Sequence, residues 1–409
     1  MGLSVSRSSR DKTPALSRDS RTRIRVVLPE VSESTFVIWA EPGKTTAMSH
    51  RLEPGRFFLP GPTEVHPDVL AAQNGEMIGH RGRGIQDLFA SIDKGLKPVF
   101  QTERPIIVST SSASGLMEAA VRNGVVDGKV LSLVNGAFSG RFAKIAVSCG
   151  LEVDKLEVEW GRVHDPEEVA ARLAEGGYDA VTLSQSETST GALQDLEAIA
   201  GVVNKHDGTL LLVDSVTGVG GAETHTDKWG IDFILTGSQK ALALPPGLAF
   251  GVANEAMLER SAKAPAKGWY FDLVTLHDQI ENHQTPATPA ISLLYALDFQ
   301  LKRIGEETID GRWKRHTNMQ QRTFQWVDEM KDGGRHIDVF AQEGHRSPTV
   351  TCIATDRAQQ LVADLFSRGW VIGGGYGKLE ESTIRIGHMG DHTMDELEGL
   401  LEVLTDVMT

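Results

Sequence analysis

The sequence predicts an α/β fold, with a mostly parallel sheet covered by helices on both faces and a smaller α+β domain after it. Short apolar runs recur from about residue 105, and stretches of helical periodicity lie between them. Strands that are apolar along their whole length are typical of parallel sheets buried on both faces. Near residue 305 the pattern changes to helices that alternate with two well-separated strands, which favours a second domain.

The individual elements follow from these patterns. The strands of the large domain are predicted at 105–110, 130–134, 179–184, 209–215 and 232–237. Helices are predicted between them at 115–125 and 165–177. In the C-terminal part, helices are predicted at 311–330, 358–369 and 393–408, and strands at 347–355 and 382–389. The domain boundaries are therefore placed at 1–56 for an N-terminal extension, 57–305 for a large domain with an N-terminal arm, and 306–409 for a small domain.

The composition is that of an ordinary globular protein. The chain has 409 residues, of which 40% are hydrophobic and 23% charged, and a net charge of -14. An acidic chain is a poor general nucleic-acid binder, and no run approaches the roughly 18 apolar residues of a membrane span. The two cysteines, Cys149 and Cys352, cannot build a disulfide framework or a four-thiolate zinc site. They fit a reducing compartment, and we expect a cytoplasmic location.

The N-terminal extension differs from the rest of the chain. Residues 1–25 carry seven basic residues against two acidic ones, together with many serines. This composition fits a disordered tail or a transit peptide. Met48 stands just before folded-looking sequence, so a misassigned start codon would also explain residues 1–47.

Polar residues at the carboxyl ends of the predicted strands are the candidate site, because ligands of open α/β sheets bind there. The serine- and glycine-rich segment 109–115 leads into a helix, whose N-terminus is either an anion site or simply capped by serine. Asp214 ends one apolar strand, and Lys240 follows the next. These two groups either form an ion pair or approach a common ligand. A desolvated lysine has a lowered pKa and becomes an amine nucleophile.

One cofactor would use all three of these features. Pyridoxal phosphate needs a lysine for its aldehyde, a carboxylate for its pyridinium nitrogen and an anion site for its phosphate. Two segments only partly match nucleotide-binding motifs. Residues 42–46 lack the upstream glycine of a P-loop, and residues 218–221 lack the glycine spacing of a dinucleotide-binding motif. No serine sits in a nucleophile elbow, and no histidines have metal-ligand spacing, so we predict no metal.

Several segments, in one order over residues 57–409, carry a resemblance to a known family. They are FLPGPTEVHPDVL (58–70), MIGHRG (77–82), ETSTG (187–191), LLVDSVTGVGG (211–221), GIDFILTGSQKAL (230–242), TPAISL (288–293) and IRIG (384–387). They resemble the class V pyridoxal-phosphate aminotransferases, and most closely the alanine–glyoxylate and serine–pyruvate group. The resemblance implies pyridoxal-phosphate fold type I, with a seven-stranded sheet, and a homodimer with shared active sites.

The resemblance also implies a role for each matching residue. Lys240 would bind the cofactor as a Schiff base and then move the substrate proton. Asp214 would keep the ring nitrogen protonated, and Arg385 would hold the substrate carboxylate, with an interdomain salt bridge as its alternative. The other cofactor contacts would be Val216 and Phe138 on the ring faces, Thr188 at the phenolic oxygen, Ser112, Ala113, Ser114 and Gln239 at the phosphate, and Thr288 from the neighbouring subunit. Gly61 would line the substrate pocket.

Some assignments stay open at this point. Thr285 is a rival to Thr288, and His80 and Arg81 receive no chemical step. We expect a ping-pong aminotransferase that moves an amino group from alanine or serine to glyoxylate or pyruvate. The alternatives are a ureidoglycine–glyoxylate aminotransferase, a cysteine desulfurase or lyase of the same class, and a non-enzymatic subunit that kept the fold.

Overall fold

The computed structural model describes residues 56–265 and 267–409. The expectations for residues 1–55 therefore lie outside the described residues. The strands are β1 (Arg56–Phe58), β2 (Ile107–Ser109), β3 (Lys129–Val134), β4 (Val153–Glu157), β5 (Tyr178–Ser184), β6 (Ser186–Glu187), β7 (Ala192–Leu193), β8 (Leu210–Asp214), β9 (Phe233–Gly237), β10 (Ala249–Ala253), β11 (Ile337–Val339), β12 (Val350–Thr355), β13 (Trp370–Gly374) and β14 (Thr383–Gly387).

The helices alternate with these strands. They are α1 (Pro67–Ala72), α2 (Arg83–Phe100), α3 (Ala113–Gly124), α4 (Ala137–Ser148), α5 (Pro166–Leu173), α6 (Leu196–Val203), α7 (Glu255–Lys263), α8 (Leu273–Glu281), α9 (Ile291–Glu307), α10 (Ile309–Asp332), α11 (Ala358–Ser367) and α12 (Met394–Met408). No helix in the described ranges is both long and apolar enough to cross a membrane.

The large sheet confirms the predicted α/β class. Its seven strands lie in the order β2-β10-β9-β8-β5-β3-β4. The pairs from β9 to β4 are all parallel, and only β10 runs antiparallel to its two neighbours within this sheet. All five strands predicted for this domain are present. Two strands of this sheet were missed: β4, which is half-exposed, and β10, which follows a proline-rich stretch.

Alternation of side chains along the strands explains why helices cover both faces of the sheet. In β8, Leu211 and Val213 join one apolar cluster, while Leu210 and Leu212 join the other. Consecutive residues of a strand point to opposite faces, so a fully apolar strand requires cover on both sides. Helix α2 covers one face, and α3 covers the other. The carboxyl ends of the parallel strands stay free for the site.

The second sheet has five strands, in the order β1-β13-β14-β12-β11. Strand β1 pairs in parallel with β13, so the start of the described chain joins strands near its end. Helices α10, α11 and α12 contribute to the apolar cluster that this sheet shares. The predicted C-terminal helices and strands are all present, while β11 and β13 were not predicted. The domain boundary at residue 305 stays a prediction.

Candidate active site

Lys240 lies in a turn just beyond β9 and is only 8% exposed. Its Nζ donates a hydrogen bond to the carbonyl of Pro60, which lies far away in sequence. Burial lowers the pKa of Lys240 to about 8, because the ammonium loses its water. The nearby charge of Arg385 lowers this pKa further, while Asp214 opposes the shift. The amine is therefore poised to lose its proton near neutral pH.

Asp214 is the last residue of β8 and is also buried. Its Oδ2 accepts a hydrogen bond of 2.7 Å from Ser184 Oγ, and its Oδ1 accepts one of 2.9 Å from the Val216 amide. Burial raises the pKa of Asp214 to about 6 despite these two hydrogen bonds. The direct ion pair with Lys240 does not form, since Lys240 binds the Pro60 carbonyl instead. Within the described ranges, no basic side chain forms an ion pair or a hydrogen bond with this buried carboxylate.

Arg385 lies in β14 and is 8% exposed. Its Nε donates to the Gly374 carbonyl at 2.8 Å, and its Nη1 donates to the Thr188 carbonyl at 3.3 Å. Burial lowers the pKa of the guanidinium. Within the described ranges no carboxylate pairs with Arg385, so the interdomain salt bridge considered above is absent there. Three of its five N–H donors are left for an anionic ligand.

Gly61 lets the chain pass directly over the lysine. Its φ is +109°, a conformation that favours glycine. A Cβ at this position would lie 2.5 Å from Lys240 Nζ. The backbone of Gly61 therefore lies against Lys240, while its place in a substrate pocket stays a prediction.

The N-terminus of α3 lies beside the same strand ends. Ser112 occupies the N-cap position, but its side chain makes no capping hydrogen bond, so plain serine capping does not account for this segment. A Cβ placed on Gly237 would meet Gln239 Oε1 at 2.9 Å and Ala113 Cβ at 3.4 Å. Gln239 and the first residue of α3 therefore border the same small space. Ser114 lies half-buried in the first turn.

Phe138 lies in the first turn of α4. Its ring stacks on that of Tyr376, with ring centres 5.3 Å apart. Val216 is half-buried beside Asp214, and its amide fixes the carboxylate. Thr188 is buried, and its hydroxyl lies 2.5 Å from that of Thr217.

Sequence reasoning missed Glu187, which is fully buried beside this helix. Its carboxylate accepts hydrogen bonds from the amides of Phe138 and Ser139 and from the hydroxyls of Ser139 and Ser189. A carboxylate at a helix N-terminus satisfies free amides and interacts well with the helix dipole. Glu187 thereby fixes the position of Phe138. The sequence feature that could have pointed to Glu187 is its position in the ETSTG segment, next to Thr188.

The segment that carries Thr285 and Thr288 lies close to Arg81. Thr285 is buried and donates to the Ala287 carbonyl at 2.7 Å, whereas Thr288 is exposed. Arg81 donates to the carbonyls of Thr285 at 2.5 Å and Pro286 at 3.0 Å. Arg81 thus holds this segment, and His80 receives no role from these contacts. Of the two threonines, Thr288 is the one whose surface is free.

These groups match the needs of pyridoxal phosphate. A buried amine at Lys240 suits the aldehyde, and the unpaired carboxylate of Asp214 suits a protonated ring nitrogen. The start of α3 offers free amides for a phosphate. Asp214 is the strongest indication of this cofactor. Burying a carboxylate without a bound cation costs free energy, and a protonated ring nitrogen would offset that cost.

Comparison with known proteins gives consistent results. The family model for class V aminotransferases matches residues 68–369. An uncharacterized aminotransferase of Methanocaldococcus jannaschii is 38% identical over 346 residues, covering 82% of this chain and 87% of that protein.

Solved structures resemble the chain over most of its length. An alanine–glyoxylate aminotransferase from Nostoc sp. has a TM-score of 0.81 and 29% identity, covering 91% of this chain and 98% of that one. An aspartate aminotransferase from Thermus thermophilus has a TM-score of 0.77 and 30% identity, covering 86% and 99%. The likeness extends over both sheets.

Proposed function

Because the chain belongs to the class V aminotransferases, which use pyridoxal phosphate, we propose that it moves an amino group from alanine or serine to glyoxylate or pyruvate. One observation carries the proposal: the buried Arg385 has no carboxylate partner in the described parts of the chain and stands beside Lys240. A 2-amino acid and a 2-oxo acid share the carboxylate that such an arginine binds. The likeness to the Nostoc alanine–glyoxylate enzyme supports this choice of substrates.

The mechanism we propose is ping-pong, with both substrates using one site in turn. When bound, pyridoxal phosphate supplies an electron sink for the bonds at the substrate's α-carbon. Lys240 holds the cofactor in the resting enzyme and afterwards carries the proton taken from the α-carbon on its Nζ. Its pKa of about 8 suits this task, because the amine exchanges a proton readily near neutral pH.

The other residues hold the reacting groups in place. Asp214 keeps the ring nitrogen protonated, and Arg385 orients the substrate through its carboxylate. Phe138 and Val216 would flank the cofactor ring, and the Thr188 hydroxyl would serve its phenolic oxygen. The phosphate would be held by Ser112, Ala113 and Ser114 at the start of α3 and by Gln239 just after β9. Gly61 leaves room for the substrate over Lys240.

We also propose a homodimer in which Thr288 reaches the phosphate of the partner subunit's site. Thr288 is exposed, and Trp269 and Tyr270 lie around the same small cavity with 68% and 45% of their surfaces exposed. Large aromatic side chains are enriched in protein–protein interfaces. The buried Thr285, whose hydroxyl is already bound within its own chain, is less suited to this contact.

Desulfurase chemistry has little support, because it requires a reactive cysteine. Burial raises the pKa of Cys352 to about 11, so its thiol stays protonated. Cys149 follows the last turn of α4, about 17 Å along the helix from Phe138, and burial raises its pKa as well. Neither thiol is placed as a nucleophile. A non-enzymatic subunit is disfavoured because Lys240, Asp214 and Arg385 are all present.

The test is a single-turnover experiment on the cofactor-loaded protein. Each amino acid is mixed with the enzyme, and the visible absorbance of the bound cofactor is followed. Alanine or serine should bleach it, and glyoxylate or pyruvate should restore it. Arg385→Lys should raise the KM for both substrates by at least about tenfold, since bidentate binding is lost. If no amino acid bleaches the absorbance, or if Lys240→Ala keeps it, the proposal is wrong.

A further inference from the structure

A second arginine, Arg141, lies beside the site and has no role in the mechanism above. It is one turn after Phe138 on α4 and is half-buried. Its Nη2 donates to the Tyr376 hydroxyl at 3.0 Å, and its Cζ lies 4.7 Å from the centre of the Phe138 ring. No carboxylate pairs with Arg141 anywhere in 56–265 or 267–409. Its guanidinium is therefore held by aromatic groups while most of its N–H donors stay free.

Arg141 lies near enough to the reacting amine for its charge to act on it. Its positive charge contributes to the lowered pKa of Lys240, as the charge of Arg385 does. Two guanidinium groups thus act on the same lysine, and Asp214 supplies the opposing negative charge. Unbalanced cations around a buried amine favour the entry of an anion with more than one negative charge.

Tyr376 sets the separation of the two arginines. Its hydroxyl lies 3.0 Å from Arg141 Nη2, and its ring centre lies 5.5 Å from Arg385 Cζ. Since a tyrosine ring centre is about 3 Å from its own oxygen, Arg141 Nη2 lies at most about 11 Å from Arg385 Cζ. An extended four-carbon dicarboxylate, with a charge-assisted hydrogen bond at each end, spans about the same length.

From this geometry we propose that Arg141 is a second carboxylate receptor, which admits dicarboxylic amino acids and 2-oxo dicarboxylic acids of four or five carbons. This proposal rests on the proposed function, because Arg385 must hold the carboxylate next to the reacting carbon. With aspartate as donor, the amino group passes to the enzyme and oxaloacetate leaves. Pyruvate then takes the amino group and leaves as alanine, so that aspartate and pyruvate give oxaloacetate and alanine. Arg141 is a substrate-binding residue in this scheme.

Binding of unreactive acids to the cofactor-loaded protein tests the proposal without turnover. Succinate and butyrate both have four carbons, but only succinate has a second carboxylate. Calorimetry should show that the wild-type protein binds succinate about tenfold more tightly or better. Arg141→Leu should reduce this preference to about twofold. The control is Lys144→Leu, which removes an equal charge from the exposed side of the same helix and should keep the preference.

Three results would overturn the proposal. They are equal affinities of the wild-type protein for succinate and butyrate, a preference that survives Arg141→Leu, and an equal loss of preference in Lys144→Leu. The first comparison needs no variant, so it holds even if Arg141→Leu fails to fold.

Single-turnover bleaching separates this proposal from the function on which it rests. Bleaching by aspartate relative to alanine should fall about tenfold or more in Arg141→Leu. If alanine bleaches the wild-type enzyme and aspartate does not, only the role of Arg141 is wrong. If neither amino acid bleaches it, the proposed function itself is wrong.

Discussion

Replacing Asp214 by asparagine should stabilise the cofactor-free protein. The carboxylate is buried and has two hydrogen bonds but no cationic partner in the described chain. Asparagine has nearly the same shape, and its oxygen can still accept from the Val216 amide. Its amide nitrogen can donate to Ser184, whose hydroxyl rotates to accept. The substitution thus removes the buried charge while the local hydrogen bonds are kept.

The size of the effect follows from the pKa. Burial raises the pKa of Asp214 from 3.8 to about 6. A shift of two units corresponds to about 3 kcal/mol of lost stability for the ionised folded form. This loss is complete above pH 6 and shrinks as the pH falls toward 3.8, where the unfolded chain also takes up the proton. Asp214→Asn should therefore gain about 3 kcal/mol at pH 8 and less than about 1 kcal/mol at pH 4.

Denaturant-induced unfolding of the cofactor-free protein, followed by circular dichroism at both pH values, measures this difference. Added pyridoxal phosphate should then stabilise the wild-type protein more than the variant, because only the carboxylate balances a protonated ring nitrogen. Asp232→Asn is the control for this response to the cofactor. Asp232 is also buried, but it lies at the opposite end of the strands, just before β9. A variant that is less stable at pH 8, or equally changed at both pH values, would refute the reasoning.

Three further predictions concern neighbouring groups. The rate at which the cofactor-free protein binds pyridoxal phosphate covalently should rise with pH and level off above about 8, where Lys240 is neutral. A rate that still climbs at pH 10 would contradict this. Gly61→Ala should weaken cofactor binding at least about tenfold in an absorbance titration, since its Cβ would meet Lys240 Nζ. Gly79→Ala is the control and should leave cofactor binding unchanged, because a Cβ at Gly79 would meet open space. Glu187→Gln should cost about 1–3 kcal/mol in thermal unfolding, because the amides that start α4 lose their charged acceptor. An unchanged melting temperature would mean that this cap is dispensable.

Much of the fold could be predicted because it depends on local patterns. Strands β3, β5, β8 and β9 are apolar throughout, so their period and length identify them directly. Strand β4 was missed because it lies at the edge of the sheet and carries polar residues that reach water. Helix α4 was missed because its first turn contains glycine and serine, which are weak helix formers.

The residues of the candidate site also fall into two groups, those that the sequence could predict and those that it could not. Lys240 and Asp214 stand at the ends of predictable strands, so their proximity could be inferred from the topology. The contacts of Arg141 and Glu187 could not be inferred, because each depends on a partner about 50 or more residues away in sequence. Nothing in the local sequence shows that the Glu187 carboxylate starts α4, or that Tyr376 comes to lie against Phe138. Such pairings appear only once the chain has folded.

The neighbouring residues Glu187 and Thr188 make hydrogen bonds to two separate elements, the start of α4 and Arg385 in β14. The side chain of Glu187 anchors the start of α4, and the carbonyl of Thr188 holds Arg385. A displacement of this short stretch would shift the aromatic ring of Phe138 and the guanidinium of Arg385 together. The start of α4 and the guanidinium of Arg385 are therefore both fixed relative to one short stretch of backbone. Selection for a new substrate can act on Arg141 or Tyr376 while this common anchor stays in place.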